Sequence, residues 1–427
     1  MRFDTLEAWL AWQESLNPRG IELGLERVCR VLARLEFAHS PFRVITVGGT
    51  NGKGSVATVA ASILQAAGHR TGRYLSPHIL SYNERIAIDG EPVSDDALCA
   101  AFEIVDQARG EEALTYFEFG TLAAFEVFRK RKVDVAVLEV GLGGRLDAVN
   151  VLDPDVAVVV SVGLDHTDWL GNDIDTIARE KAGIFRQGRP AIFGSANVPE
   201  GIVAAANEIG AKLVPFGQAF DYEPSSGKWT WRSRDRIVRE LPNPPLAGIH
   251  QFANAATAIA AVLALEPTLP DEAIRKGVLE SRLAGRLQSL GGTPEVILDV
   301  GHNPDAAARV AAFLHDDPRP TIAVLAMLAD KDAAGLVREL APHVQQWHLA
   351  PLQGARGQSA EALASRLQNV ETTLKTTTHG NVAEAAVAAL QSAPESGRVL
   401  VTGSFHTVAE FLVYFEAKPG TNGMQVG

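Results

Sequence analysis

A glycine-rich run with one lysine and one serine is the part of the sequence best suited to bind a phosphate. Segment 48–55 reads GGTNGKGS; it follows the apolar run Arg43–Val47 and precedes an Ala-rich stretch. Successive backbone N–H groups wrap phosphate oxygens in turns that favour glycine, and a following helix adds its positive end. Lys53 is therefore predicted to contact terminal phosphates, and the Ser55 hydroxyl to contact Mg²⁺. Gly54 between them departs from the common form of this loop.

Polar residues at the ends of apolar runs form a second group of candidates. Glu139 lies at the end of the run Val133–Val140, and His166 follows the run Asp155–Val162. Ser76 follows a third, shorter run. In a parallel sheet the carboxyl ends of the strands meet at one edge, which is where ligands bind. We therefore expect these three residues to lie near the phosphate loop.

The pattern of the chain predicts such a sheet. From Phe42 to Gly301, short β-branched runs alternate with longer Ala-rich segments, which is typical of parallel strands and their covering helices. The predicted helices are Ser55–Ala67, Thr121–Lys130 and Gln251–Leu265. Segment Tyr222–Pro245 is predicted to be rich in strand. The predicted fold class is α/β, with a mostly parallel N-terminal sheet and flanking helices.

A second alternation of strands and helices starts at Val296 and predicts a smaller, Rossmann-like α/β domain. A cluster of glycines with a proline lies just before it, at 285–294, and such a cluster is typical of a linker. We therefore predict a domain at 1–288, joined by this linker to a second domain at 289–427.

The composition limits the class of partner. Of the 427 residues, 46% are hydrophobic and 21% are charged, as in folded globular proteins. The 39 Lys and Arg against 51 Asp and Glu give a net charge of −12, which disfavours nucleic acids and anionic membranes. The two cysteines are too few for a disulfide framework, and the N-terminus has no signal-peptide pattern. These features predict a cytoplasmic protein with no nucleic-acid or membrane partner.

Further motifs follow the phosphate loop in order. They are LSPH at 75–78, YNERI at 82–86, LTYFEFGT at 114–121, LEVGLGGRLDAVN at 138–150, GLDH at 163–166, EKAGI at 180–184, HQFANA at 250–255, GRLQ at 285–288 and LDVGHNP at 298–304. The loop GTNGKGS resembles that of the Mur ligase superfamily. The whole series resembles the folylpolyglutamate synthase family, including its bacterial members that are also dihydrofolate synthases, over almost the entire chain.

The resemblance implies an ATP-dependent ligase of the bifunctional bacterial type. Such an enzyme adds L-glutamate to dihydropteroate, giving dihydrofolate, and to folates, giving polyglutamates, through an acyl phosphate. ATP and two Mg²⁺ ions are the implied cofactors. The first predicted domain would bind ATP, like the central domain of Mur ligases, and the second would be the glutamate ligase domain. We further expect a monomer.

By the same resemblance, Ser76, Glu139 and His166 are Mg²⁺ ligands, and Ser55 serves the metal bound to the nucleotide. Lys181, in EKAGI, occupies the position that is carbamylated in the family. A bare ammonium would be repelled by the metals, whereas a desolvated lysine beside cations has a lowered pKa and can react with carbon dioxide. Its carbamate oxygens could then support a metal. The implied catalytic residues are Lys53, Lys181, His166 and Glu139.

The resemblance also implies a pocket for the pterin ring of a folate. A pterin is a flat aromatic with amide-like edges, so it needs a stacking partner and a carboxylate. Phe117 and Asp147 are the implied partners. The full set for the pterin and folate is Glu22, Leu23, Thr115, Phe117, Glu118, Leu146, Asp147 and Ala148.

The remaining implied contacts are to ATP and glutamate. The ATP set is Thr50, Asn51, Gly52, Lys53, Gly54, Ser55, Asn254, Arg286, Asp299 and His302. The fork of Arg286 suits bidentate contact with a phosphate. His302 and Ser404 are the candidates for positioning glutamate, although Ser404 could equally cap the helix that follows it.

Other functions are compatible with parts of the pattern. A monofunctional folylpolyglutamate synthase or dihydrofolate synthase shares nearly every motif. A peptidoglycan Mur ligase carries a substrate-binding domain before the phosphate loop, and only 42 residues precede Arg43 here. A P-loop ATPase switch would hydrolyse ATP without needing glutamate. A pure binding protein would have no use for Lys53 and the metal set.

Overall fold

The computed structural model describes residues 2–17, 22–37, 40–368, 370 and 374–416. By its internal contacts the chain divides into two compact units. Unit 1 comprises Met1–Pro245 and Phe252–Ser281, and unit 2 comprises Leu246–Gln251 and Arg282–Gly427. None of the helices in the described ranges has the length and apolar character that a transmembrane segment requires.

The secondary structure up to Glu280 alternates strands with helices. The helices are α1 (Leu6–Leu16), α2 (Glu26–Arg34), α3 (Lys53–Ala66), α4 (Asp95–Arg109), α5 (Tyr116–Arg131), α6 (Thr167–Leu170), α7 (Ile174–Ala182), α8 (Glu200–Ile209), α9 (His250–Leu265) and α10 (Asp271–Glu280). The strands are β1 (Arg43–Gly48), β2 (Thr71–Tyr74), β3 (Ile86–Ile88), β4 (Glu91–Pro92), β5 (Val135–Glu139), β6 (Val156–Val159), β7 (Pro190–Phe193), β8 (Lys212–Pro215), β9 (Phe220–Ser225), β10 (Lys228–Ser233) and β11 (Ile237–Pro242).

Unit 2 continues the alternation. Its strands are β12 (Gln288–Gly291), β13 (Glu295–Leu298), β14 (Thr321–Leu325), β15 (Gln346–Leu349), β16 (Thr376–Thr378) and β17 (Arg398–Thr402). Its further helices are α11 (Pro304–Asp316), α12 (Ala333–Leu340), α13 (Ala360–Leu367), α14 (Val382–Ser392) and α15 (Phe405–Glu416).

The main sheet of unit 1 has eight strands in the order β4-β3-β2-β5-β1-β6-β7-β8. The run from β2 to β8 is parallel, and β3 and β4 pair antiparallel at one end. All of β5 is buried, and so is β1 after Arg43, as expected for parallel strands covered on both faces. The carboxyl ends of β1, β5 and β6 therefore meet at one edge, from which the phosphate loop leads into α3.

Two helices of unit 1, α3 and α10, pack very closely against each other. The buried face of α3 includes Val56, Ile63 and Leu64. A Cβ on Gly277 of α10 would lie only 2.3 Å from Ile63 Cα. Glycine at this position thus lets α10 pack directly on the backbone of the helix that presents its N-terminus to the phosphate site.

The sheet of unit 2 has the order β12-β13-β17-β14-β15-β16, in which only β12 runs antiparallel to its neighbour. Its core includes the buried side chains of Leu325, Trp347 and Leu400. The predicted α/β class, with a mostly parallel first sheet and a smaller Rossmann-like second one, is confirmed. The strand-rich interpretation of Tyr222–Pro245 is also confirmed, because β11, β10 and β9 form a small antiparallel sheet there.

Two local expectations differ from the structure. α5 begins at Tyr116 rather than at Thr121, because Thr115 and Glu118 form a capping box that starts the helix earlier. Segment 285–294 is not a linker: β12 pairs with β13 in a hairpin, and Gln288 Oε1 accepts from Gly285 N at 2.9 Å. Glycine and proline here form a hairpin turn inside unit 2. After a short excursion at Leu246–Gln251, the chain passes finally from unit 1 into unit 2 between Ser281 and Arg282.

We expect Gly277→Ala to destabilise the protein. The added Cβ would meet the backbone of Ile63, and overpacking of this kind typically costs about 1–3 kcal/mol. Without that contact the change would stabilise α10 by about 1 kcal/mol, because alanine is the better helix former. The sign of the change in the free energy of unfolding, measured by urea denaturation, therefore tests the close approach of α10 to α3.

Lys276→Ala is the matched control for this measurement, since Lys276 is the preceding residue on α10 and is exposed. It should change the free energy of unfolding by no more than about 0.5 kcal/mol. A Gly277→Ala variant as stable as the wild type, or more stable, would contradict the packing described here.

Candidate active site

The phosphate loop needs glycine at two positions. Gly49 (φ +141°) and Gly52 (φ +88°) adopt backbone conformations that other residues rarely take. A Cβ on Gly49 would lie 3.1 Å from the backbone nitrogens of Val160 and Ser161, and one on Gly52 would lie 2.8 Å from Asn254 Oδ1. The predicted nucleotide residue Asn254 is thus next to the loop. α3 begins directly after Gly52, so its positive end faces the loop.

The loop is held in place by the segment that follows β6. Thr50 N donates to Ser161 O at 2.8 Å, and Asn51 N donates to Ser161 Oγ at 3.0 Å. Thr50 Oγ1 donates to Gly163 O at 3.2 Å and accepts from Gly163 N at 3.0 Å. The first N–H groups of the loop are therefore bound to protein, and those of the first turn of α3, which includes Gly54 and the buried Ser55, face the phosphate position.

Two lysines converge on one carbonyl of the loop. Lys53 Nζ donates to Gly49 O at 3.1 Å and to Thr50 O at 3.2 Å, and Lys181 Nζ donates to Gly49 O at 3.2 Å. Burial, and after it the positive charge of Lys53, lower the pKa of Lys181 to about 7. A large fraction of Lys181 is therefore a neutral amine at neutral pH, and that is the nucleophilic state of a lysine.

Three carboxylates act against this shift of the Lys181 pKa. They belong to Asp165, Glu180 and Asp147, in that order of strength. Asp165 precedes His166 in the GLDH motif, of which only the histidine is a predicted site residue. Glu180 is the neighbour of Lys181 in the chain, whereas Asp165 and Asp147 come from distant segments that spacing along the sequence does not connect to it.

Two of the predicted metal ligands lie side by side. Glu139, at the end of β5, is only 5% exposed, and its Oε2 accepts from Ser76 N at 3.0 Å. Arg73 of the neighbouring β2 adds a favourable charge, since its guanidinium interacts electrostatically with Glu139, while burial lowers the Arg73 pKa. This arginine was missed because a charged residue inside a predicted strand gives no signal of its own.

His166 lies at the N-cap of α6 in a left-handed conformation (φ +52°), and its backbone N–H donates to Asp165 Oδ1 at 2.8 Å.

Among the described residues, no three His, Cys, Asp or Glu side chains cluster as a metal site would. The predicted set contains two such side chains, those of Glu139 and His166, and the hydroxyls of Ser55 and Ser76 with the carbamate of Lys181 would complete it. This oxygen-rich set fits Mg²⁺, which keeps several waters and uses one or two carboxylates with substrate phosphates.

The loop after β5 carries the predicted pterin carboxylate, flanked by Leu146 and Ala148. Asp147 Oδ2 accepts from Leu142 N at 2.8 Å, and its Oδ1 accepts from Val149 N at 3.0 Å. Burial raises the pKa of Asp147 to about 7, although backbone donors and the Lys53 charge oppose the rise. A Cβ on Gly141 would lie 2.8 Å from Phe117 Cζ. The loop with Asp147 therefore lies against the ring of Phe117.

Other predicted pterin residues take part in a network at the start of α5. Thr115 Oγ1 accepts from Glu118 N at 3.2 Å, and Glu118 Oε2 accepts from Thr115 N at 2.8 Å. Arg27 pairs with Glu118 at 3.0 Å and with Glu22 at 2.8 Å. Beside Glu22 and Leu23, Gly24 N donates to the carbonyl of Leu146 at 3.3 Å. The structure therefore brings these residues together, and their contact with a pterin stays a prediction.

Unit 2 carries the other predicted residues. Asp299 Oδ2 accepts from Leu287 N at 3.0 Å, its Oδ1 accepts from Gly301 N at 2.8 Å, and burial raises the pKa of this carboxyl. Arg286 and His302 lie in its electrostatic field. Ser404 Oγ accepts from Thr407 N at 3.0 Å, which is the N-cap arrangement for α15. A role of Ser404 in binding glutamate stays a prediction.

A cavity of about 830 Å³ in unit 1 is not part of this site. It is lined by residues at the starts of β1 and β5, such as Arg43 and Val133. That is the amino-terminal edge of the sheet, whereas the phosphate loop leaves the carboxyl-terminal edge. This cavity therefore lies at the edge of the sheet opposite to the phosphate loop.

Lys181 should make the stability of the metal-free protein increase with pH. Its pKa is about 7 in the folded chain against 10.5 for an unperturbed lysine, so between these values the unfolded chain binds more protons. The contribution of Lys181 to the free energy of unfolding therefore rises across this window, by up to about 1.4 kcal/mol per pH unit. Urea denaturation of wild type and Lys181→Met in carbonate-free buffer with EDTA, from pH 7 to pH 9, should show the difference moving in favour of the wild type.

The control is Lys212→Met, at an exposed lysine of β8. Its stability relative to the wild type should not depend on pH in the same range. If the difference in the free energy of unfolding between Lys181→Met and the wild type is also independent of pH, Lys181 has an ordinary pKa and its burial does not lower that pKa.

Two family profiles match the chain: the Mur ligase middle domain matches residues 47–262, and the Mur ligase glutamate ligase domain matches residues 285–405. The dihydrofolate synthase/folylpolyglutamate synthase of Escherichia coli (strain K12) is 43% identical over 415 residues, covering 97% of this chain and 96% of that protein.

Solved structures of such enzymes have the same fold. E. coli FolC in complex with DHPP and ADP superimposes with a TM-score of 0.91 at 43% identity, covering 97% of this chain and 98% of that one. A bifunctional folylpolyglutamate synthase/dihydrofolate synthase with Mn, AMPPNP and L-glutamate bound gives a TM-score of 0.90, with the same identity and coverage. The chain therefore belongs to the dihydrofolate synthase/folylpolyglutamate synthase family of Mur ligases.

Proposed function

We propose that this chain is an ATP-dependent ligase that joins the amine of L-glutamate to the carboxylate of dihydropteroate and of folates. The observation that carries the proposal is the position of Lys53. Its ammonium lies against two carbonyls of the phosphate loop and also in the electrostatic field of Asp147. That proximity supports one site that accepts a nucleotide and a pteroate together.

The relatives support the same set of substrates. One solved relative holds DHPP and ADP, and another holds Mn, AMPPNP and L-glutamate. We extend these ligands to this chain as ATP, a divalent metal such as Mg²⁺, a pteroate or folate, and glutamate. Unit 1 would bind the nucleotide and the pteroate, and unit 2 would act as the glutamate ligase domain. We further propose a cytoplasmic monomer that binds neither nucleic acid nor membrane.

The proposed reaction has two steps. The substrate carboxylate attacks the γ-phosphorus of ATP, so an acyl phosphate forms and ADP leaves. The nitrogen of glutamate then attacks the carbonyl carbon, the carbon–oxygen bond to phosphate breaks, and the amine loses a proton as the amide forms. The first step brings two anions together, so positive charge at that point lowers the barrier.

The positive charge has two proposed sources. A divalent metal, held by Ser55, Ser76, Glu139 and His166, would polarise the phosphoryl oxygens as a Lewis acid. Lys53 would hold the terminal phosphates, and its anchors support this role. Because they are backbone carbonyls rather than a carboxylate, the full charge of the ammonium remains available to an anion.

Lys181 is proposed to act as a carbamate. Its neutral amine would attack carbon dioxide, form the nitrogen–carbon bond and release a proton. The product is an anion in place of a cation beside Lys53, so it removes the like-charge repulsion and adds two oxygen donors for a metal. The lowered Lys181 pKa supports this chemistry, because only the neutral amine reacts.

The proposed function is tested with purified protein, Mg-ATP, labelled glutamate and either dihydropteroate or a tetrahydrofolate. We expect labelled amide product with each acceptor, together with ADP release that requires both the acceptor and glutamate. Product from only one acceptor would identify a monofunctional enzyme. ATP hydrolysis without acceptor or glutamate, and no amide from either, would favour an ATPase switch and refute the ligase proposal.

The role of Lys181 is tested by two substitutions that differ in charge. Lys181→Ala should fold but lose turnover by about a hundredfold, the size typical of losing a group that supports a bound metal. Lys181→Glu places a carboxylate near the carbamate position and should recover part of the loss. Carbon-13 NMR after incubation with labelled carbon dioxide should show a carbamate signal in the wild type and none in Lys181→Ala.

Lys212→Ala serves as the control for these measurements, because it removes an exposed lysine of β8 at the far end of the main sheet. It should keep wild-type turnover and the carbamate signal. Wild-type turnover in Lys181→Ala, or a carbamate signal that survives in that variant, would overturn the assignment to Lys181.

A further inference from the structure

Phe405 is a half-buried aromatic residue of unit 2 at the very start of α15. The guanidinium of Arg286 lies over its ring, with Cζ 5.1 Å from the ring centre. The imidazole of His302 packs against the same ring, with a centroid distance of 6.4 Å and an interplanar angle of 50°. One phenylalanine thus contacts two of the unit 2 side chains that are proposed to bind ATP.

The backbone around Arg286 is fixed by separate contacts. Leu287, the next residue, adopts a left-handed conformation (φ +46°), which is uncommon for a leucine and costs about 1–2 kcal/mol. The carboxylate of Asp299 compensates by accepting from Leu287 N at 3.0 Å. Unfavourable backbone geometry of this kind persists where function requires it. These contacts fix the backbone at Arg286, whereas the ring of Phe405 contacts the guanidinium of its side chain.

His302 is oriented in a similar way. Its Nδ1 lies 3.0 Å from Val300 O, and because a carbonyl only accepts, Nδ1 must donate. In the neutral ring Nε2 is then an acceptor. The orientation of the imidazole is set by its hydrogen bond to the Val300 carbonyl and by its packing on the Phe405 ring. Asp299 acts electrostatically on His302 as well as on Arg286. Both side chains are therefore arranged before any ligand binds.

Stacking on an aromatic face has a specific consequence for an arginine. The π system contacts the face of a guanidinium and leaves the N–H groups at its edge for hydrogen bonds, such as two parallel bonds to a phosphate. Arg286 Nη1 also donates to Gly285 O at 3.2 Å, so the ring and this carbonyl together hold the side chain. A long side chain held in this orientation loses less conformational entropy when the phosphate binds. An aliphatic side chain of similar size would fill the same space without orienting the charge.

We infer that Phe405 is a positioning residue of the ligase, whose ring orients Arg286, and His302 beside it, for the phosphates of the nucleotide. The inference rests on the proposed function, because it takes Arg286 as a contact to ATP. It depends on the aromatic face and not on side-chain volume. An aromatic substitute should therefore preserve nucleotide binding, and an aliphatic one should not.

The test measures the affinity of the full chain for Mg-ADP by titration calorimetry, together with KM for ATP and for glutamate. Phe405→Leu should weaken Mg-ADP binding by about threefold to thirtyfold, the range that cation–π contacts span. It should raise KM for ATP by a similar factor, and KM for glutamate should rise as well, because the ring also packs against His302, a candidate for positioning glutamate. Phe405→Tyr keeps the ring and should stay within about twofold of the wild type in all three.

Phe313→Leu is the matched control, because the Phe313 ring also lies under an arginine of unit 2, with Arg398 Cζ 5.6 Å from its centre. Arg398 begins β17. In Phe313→Leu it loses the aromatic ring beneath it, which should alter thermal stability without changing Mg-ADP affinity. A double-mutant cycle adds the decisive comparison. If Phe405 acts mainly through Arg286, the two losses should be less than additive, and Phe405→Leu should weaken Mg-ADP binding much less in an Arg286→Ala background than in the wild type.

Each outcome distinguishes this inference from the proposed function. A wild-type protein that neither binds Mg-ADP nor forms amide would refute the proposed function itself. A functional wild type with Phe405→Leu binding Mg-ADP equally well would overturn only the role of Phe405. So would a Phe405→Tyr variant as weak as Phe405→Leu, or additive losses in the Arg286→Ala background.

Discussion

The central constraint in unit 1 is that two lysine side chains donate to the same carbonyl. Lys53 and Lys181 both reach Gly49 O, at 3.1 and 3.2 Å. Two ammonium ions this close repel each other, and burial removes the water that would screen them. Burial, and after it the charge of Lys53, lowers the pKa of Lys181 to about 7, so Lys181 reaches the neutral amine state near neutral pH.

This arrangement requires that Lys181 be carried to the loop with little freedom. Its helix, α7, packs on the loop after β5 through contacts that only glycine permits. A Cβ on Gly144 would lie 2.8 Å from the carbonyl oxygen of Lys181, and one on Gly183 would lie 2.3 Å from Arg145 Cβ. The same glycine-rich loop continues to Asp147. The packing of α7 on this loop therefore positions both Asp147 and Lys181.

The sequence predicted those parts of the site whose signal is local, and it missed those that depend on distant pairing. The phosphate loop, β1 and α3 were found because glycine turns, an apolar run and helix periodicity are adjacent in the chain. Asp165, Arg73 and Arg27 were missed because their partners come from other segments. The prediction of a linker at the β12 hairpin fails for the same reason, since glycine and proline suit both. Pairing of β12 with β13 decides between them.

Asp147 shows how the structure sharpens a predicted role. A carboxylate offers about four acceptor positions. In Asp147 the backbone N–H groups of Leu142 and Val149 occupy two of them, one on each oxygen. Asp147 thus holds the loop after β5, as Asp299 holds the turn at Leu287 in unit 2. About two acceptor positions remain for a ligand. In the proposed site Asp147 would therefore hold its loop and still accept from a pterin N–H, beside the ring of Phe117.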